Sequence, residues 1–131
     1  MNILKGDITN RESAGHLTRV TIQVKGCEMK VLVIDTASAG YLQEKKDVTL
    51  YIKETEVILT EPNQIKTSID NCFPGEVRQV DQGKLLSNLI LGTPLGEVTS
   101  LIFTDVVNTL SLKKGSKVFV MIRSTDIMLS E

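Results

Sequence analysis

The sequence has no tryptophan, a single histidine and only two cysteines. Each scarcity removes a class of function. Aromatic residues make up 4% of the 131 positions, too few for a platform on which bases stack. The net charge of −1 lacks the basic excess that tracks a phosphate backbone, so no nucleic-acid partner is expected. One histidine leaves little general acid–base apparatus near neutral pH. The sequence also lacks a nucleophile elbow, a Cys-x-x-Cys pair, a His-rich metal spacing and a Gly-rich phosphate loop opening a helix. Neither catalysis nor a cofactor or directly coordinated metal is expected. Cys27 and Cys72 read as two separate reduced thiols, not as a disulfide framework. No stretch approaches the ~20 apolar residues of a membrane helix. The opening MNILKGD lacks the basic-then-apolar order of a secretion signal. The expectation is a cytoplasmic protein with no membrane partner.

What is present is a repeat. The C-terminal stretch LSLKKGSKVFVMIRSTDIML (110–129) has the same outline as YLQEKKDVTLYIKETEVIL (41–59). Leu42 answers Leu112, Val48 answers Val118, Ile52 answers Ile122, Lys53 answers Arg123, Thr55 answers Thr125, and Leu59 answers Leu129. The offset is 70 residues throughout (112 − 42). The beginnings correspond as well, LKGDI (4–8) with FPGEV (73–77), at an offset of 69 (75 − 6). A fixed-period repeat outranks local signals, so the chain reads as two copies of a unit of about 65 residues: 1–61, a polar linker 62–68 that opens with Pro62, and 69–131. The 41% hydrophobic content supplies a core, but a unit this small buries too little surface to stand alone comfortably. Packing against the other unit, or across a subunit interface, relieves that. A homo-oligomer, dimer or trimer, is expected.

Each unit reads as strands. VTIQV (20–24), DVTLYI (47–52) and KVFVMI (117–122) alternate with period two. KVLVI (30–34) and SLIF (100–103) are short apolar runs rich in β-formers. Gly26 and GTPLG (92–96) supply the turns between second and third strands. EVIL (56–59) and DIML (126–129) read as final short strands, and TASAGYL (36–42) and TDVVNTL (104–110) as one short helix per unit. The fold class is all-β, two tandem OB-like five-stranded Greek-key barrels. Gly6, Gly15, Gly75 and Gly83 read as bends and bulges. His16 reads as a loop residue, and the basic pairs at 45–46 and 113–114 as turn residues.

The order of glycine-led first strand, short helix, L-K-x-G-x-x-V turn and closing I-K-x-S/T-E/D-V-x-L resembles the molybdate-binding Mop repeat, also called the transport-associated OB domain. The closing motif appears as VFVMIRSTDIML and, less closely, as LYIKETEVIL. The resemblance covers almost the whole chain. It is similar in layout to the two-repeat molbindins and to the effector half of the molybdate-responsive transcriptional regulator. It implies a molybdate or tungstate ligand held at the closing turn, at the repeat's start and around the helix, with sites completed across a repeat or subunit interface. Carried over residue by residue, the implied oxyanion-binding set is Arg123, Ser124 and Thr125, Lys53 and Thr55, Ser38, Ser68 and Asn71, and Asn2.

Such chemistry is consistent with these residue types. A tetrahedral dianion must exchange its water for hydroxyls, N–H groups and one or two cations, without carboxylates nearby. IKET and IRST each offer a cation followed two residues later by a threonine. The family's opening S-A-R-N is SIDN (68–71) here, with Asp70 in place of the arginine. Its I-T-x-x-S is IDTAS (34–38) in one unit and IFTDV (102–106) in the other, where Phe103 and Val106 replace both hydroxyls. Each residue also has a plainer role. Lys53 and Arg123 suit solvated outward positions, Thr55 and Thr125 suit turn closure, and Ser38 suits a helix cap. The resemblance therefore implies a molybdate or tungstate oxyanion-binding protein (storage, homeostasis or sensing) or, alternatively, an effector or assembly module of a molybdate-responsive regulator or transporter with a weakened or lost anion site.

Overall fold

The expected alternation forms strands because one side of each can be buried. The computed structural model describes residues 1–34, 47–63 and 66–130. The first unit supplies β1 (Asn2–Ala14), β2 (Leu17–Val24), β3 (Cys27–Ile34), β4 (Asp47–Ile52) and β5 (Ile58–Thr60). The second supplies β6 (Asn71–Gln82), β7 (Leu86–Thr93), β8 (Gly96–Phe103), the short helix α1 (Thr104–Thr109), β9 (Lys117–Ile122) and β10 (Ile127–Ser130). The helix expected at 36–42 lies outside the described residues. Along β2, Val20, Ile22 and Val24 are buried while Arg19 is exposed. His16 lies in the exposed turn between β1 and β2.

The two curled antiparallel sheets have the orders β10-β4-β1-β2-β3 and β5-β9-β6-β7-β8. The closing strands have changed places. β5 pairs with β9, Ile58 opposite Met121, and β10 pairs with β4, Ile127 opposite Ile52. Each five-stranded sheet thus holds four strands of one unit and one of the other. A single hydrophobic core runs through both, from Ile8, Ile22 and Leu50 to Leu89, Leu91 and Ile122. Val57 and Ile127, which lead into the exchanged strands, are buried within it. Glu56 and Asp126, expected to open strands, instead close 3-10 turns at Glu54–Glu56 and Ser124–Asp126. Their N–H groups turn back to the carbonyls of Lys53 and Arg123, both at 2.9 Å, so the strands begin only after them.

Matching irregularities shape the two sheets. β1 carries a bulge between Ile8 and Asn10, and β6 one between Val77 and Gln79. Gly6 precedes the first because the strands cross too closely for a side chain. A Cβ there would stand 2.5 Å from the Gln23 carbonyl oxygen. The free edges are sealed reciprocally by asparagines. Asn2 Nδ2 donates to the Thr99 carbonyl on β8, and the Thr99 N–H donates to Asn2 Oδ1, both at 2.8 Å. In the mirror arrangement, Asn71 Nδ2 donates to the Lys30 carbonyl on β3 at 2.8 Å, and the Lys30 N–H donates to Asn71 Oδ1 at 2.7 Å. Each carboxamide takes the place of a peptide group from a missing neighbour strand.

Two predictions follow from this geometry. Asn71→Ala leaves a partly buried N–H and carbonyl of β3 unpaired, and should cost about 1–2 kcal/mol in urea unfolding, with Asn2→Ala acting in the same direction. The second concerns one cross-strand pair. Glu76 on β6 faces Lys117 on β9, with Nζ 3.1 Å from Oε2, but the matching pair in the first unit is Asp7 facing Asp47. The hydrogen bond Asp7 makes with Asp47 holds Asp7 above the ordinary carboxylate range. A group raised in the folded state contributes stability below its unfolded pKa and loses it as pH rises through the folded value. Asp47→Asn should therefore raise the melting temperature by about 1–2 °C at pH 7, and the gain should fade on acidification through the carboxylate range.

Candidate functional site

The strand exchange brings the two closing turns together. In both, β4 or β9 ends at a buried isoleucine, Ile52 or Ile122. The next residue, Lys53 or Arg123, is extended (φ −66°, ψ 142°; φ −68°, ψ 137°), and a 3-10 turn follows. A turn closed i to i+3 leaves its opening N–H groups without an acceptor inside the turn. The first turn packs against β8 and the second against β3. Each turn therefore lies on the other unit's edge strand, beside the asparagine seal.

Arg123 is the centre of this junction. Its Nε donates to Asp126 Oδ2 at 2.6 Å within its own turn, and its Nη2 donates to Glu56 Oε2 of the facing turn at 3.3 Å. The hydrogen bond and charge of Asp126, then those of Glu56, raise the guanidinium further above its ordinary range, so it is a permanent cation. Its side chain is 54% exposed, leaving donors available on the solvent side. Ser124 is half-buried and Thr125 exposed beside it. On the facing turn, Lys53 and Thr55 are exposed. The Met1 amino group bonds Glu54 and holds that carboxyl below its usual range. The junction can hold an anion by a guanidinium and hydroxyls, but it carries three carboxylates, Glu54, Glu56 and Asp126, around them.

The remaining residues of the expected set are placed differently. Asn2 and Asn71 are buried, and each gives its carbonyl oxygen and an N–H to backbone of the opposite unit. Ser68 is exposed in the segment leading to β6. Ser38 lies outside the described residues, although β3, against which the second turn packs, leads into its segment. Asp70 acts on Arg19 of β2, whose pKa is raised first by its hydrogen bond with Glu12 and, to a lesser degree, by Asp70. Phe103 and Val106 are exposed beside an apolar groove shared with Thr55, Val57 and Leu86.

Two participants escaped the sequence reading. Glu56 reads as the start of a strand, yet it is the cross-unit partner of Arg123. Ser100 donates its hydroxyl to the Val57 carbonyl at 2.9 Å, tying β8 to the first turn. For the asparagines a signal existed. Two Asn at the repeat offset, each opening a strand, mark a structural position as readily as a ligand.

Paired OB-type barrels that exchange their closing strands define a class of tandem β-barrel fold. Residues 67–129 match the TOBE domain family, and the first unit repeats the strand order and closing motif of that segment. The resemblance seen in the sequence is borne out. Over 133 residues the chain is 26% identical to the molybdenum transport protein ModE of Herbaspirillum seropedicae, a match covering 98% of this chain and 49% of ModE. The chain thus spans about half the length of that relative. Its fold is similar to a solved structure of the cytoplasmic molybdate-binding protein ModG with molybdate bound, at a TM-score of 0.89 and 22% identity, covering 98% of this chain and 94% of that one. No helix among the described residues is long and apolar enough to cross a membrane.

Proposed function

We propose that this chain is a cytoplasmic, non-enzymatic oxyanion-binding protein whose ligand is molybdate or tungstate, used in storage, homeostasis or sensing. The observation that carries the reading is the meeting of the two closing turns, with Arg123, Ser124 and Thr125 on one and Lys53 and Thr55 on the other. An arginine can give two hydrogen bonds to two oxo groups of one tetrahedral anion, which a lysine cannot. The molybdenum and molybdate named for the ModE and ModG relatives support the choice of ligand. Arg123 is open to solvent, and in this reading a second copy of the chain completes the site around it. Support for a homo-oligomer, dimer or trimer, comes from the exposed cross-strand apolar pairs Leu17–Ile34 and Leu86–Phe103, which recur at the same corner of both sheets.

A second reading is an effector or assembly module whose anion site is weakened. It is favoured by the carboxylates around Arg123 and by the commitment of both asparagines to backbone. Calorimetric titration with molybdate, tungstate, sulfate and phosphate separates the two. The first reading expects heat with molybdate or tungstate, a tenfold to hundredfold loss on Arg123→Ala (about 1.5–3 kcal/mol for one charge-assisted hydrogen bond), and a smaller loss on Lys53→Ala. Silence with all four anions leaves the assembly module. Light scattering should return a dimer or trimer mass in the high-micromolar range, and a monomer mass would refute the assembly.

A further inference from the structure

The donors used by Arg123 are informative. Nε and Nη2 form one edge of the guanidinium, the edge that can present two parallel N–H groups to two oxygens of a single anion. Here that edge is divided. Nε is taken by Asp126 at 2.6 Å and Nη2 by Glu56 at 3.3 Å. The Asp126 contact is local, three residues away within the same turn, and short. The Glu56 contact is longer, and it comes from the other unit's turn, across the junction.

We infer that Glu56 is a built-in competitor for the oxyanion, an internal counter-ion that must leave Arg123 before an anion can take Nη2. This rests on the oxyanion reading above and deepens it. Displacement removes a like charge from the entering dianion and frees Nη2. Because Glu56 belongs to the first turn and Arg123 to the second, the exchange also breaks an ion pair that joins the two units. Occupancy is therefore linked to how the turns hold each other, and affinity is set below what Arg123 alone would give. Asp126 keeps Nε and orients the guanidinium, so the anion is met by Nη2 and the neighbouring Nη1.

The test is titration of Glu56→Gln, which keeps the side chain's shape and an acceptor oxygen but removes the charge, beside Asp81→Asn. Asp81 lies near the far end of β6, bonded to Gln79, and its substitution makes the same change in net charge. With molybdate, tungstate and sulfate as probes, Glu56→Gln should bind about three- to tenfold more tightly than wild type, and Asp81→Asn should match wild type. Binding by Glu56→Gln where wild type shows none gives the same support in stronger form. Equal affinities of wild type and Glu56→Gln would overturn the competitor role while leaving the oxyanion function standing. Equal strengthening by both variants would overturn it too, since the effect would then be one of net charge. If neither wild type nor Glu56→Gln binds any of the three anions, the oxyanion function itself fails and this inference with it. Melting curves of both variants close to that of wild type establish that the comparison is between folded proteins.

Discussion

An open, curled sheet has two edges whose amides and carbonyls must find partners, and in this chain they find them in the other half. β4 gains β10 and β9 gains β5, while the opposite edges, β3 and β8, are met at Lys30 and Thr99 by asparagine side chains. The single core, the placement of the closing turns and the meeting of Glu56 with Arg123 all follow from this exchange. Satisfying buried peptide groups is a stricter demand than burying apolar area, because the cost of an unpaired group is local and cannot be spread over neighbours. Here the demand is met only by both halves at once, which explains how two units too small to be self-sufficient form a common body.

Within that shared frame the halves have diverged where the frame is indifferent. The bulge residue is Thr9 in one unit and Arg78 in the other, and Asp47 of the first corresponds to Lys117 of the second. The closing turns carry Glu54 where their counterpart has Ser124. These changes alter charge on strand ends and turns, and they leave the apolar core of both units in place. The result is two similar turns of unequal character, one rich in carboxylates and one carrying the guanidinium.

The strand pattern, the turns, the repeat and the family were legible because each rests on short-range periodicity or on motif spacing. DVTLYI and KVFVMI coincide with β4 and β9, and the helix at 104 is where the pattern puts it. The exchange was not legible, for a physical reason. EVIL and DIML are so alike that either fits either sheet, and the sequence holds no local term that prefers one. Glu56 was misplaced for a related reason: an acidic residue before a β-branched pair reads as strand, while the turn that captures it depends on packing against β8. Asn2 and Asn71 read as ligands by resemblance, and only the register of the opposite edge reveals their bond to backbone. Ser38 belongs to the segment outside the described residues.

The strand that lies beside Ile52 begins at Ile127, which gives the exchange a consequence for birth at the ribosome. When the first unit has emerged, its own closing strand is β5, which belongs to the other sheet, and β4 still has a bare side. That side stays open until the second unit has been translated past Ile127. Truncation before Ile127 would leave β4 without that neighbour however complete the first unit is.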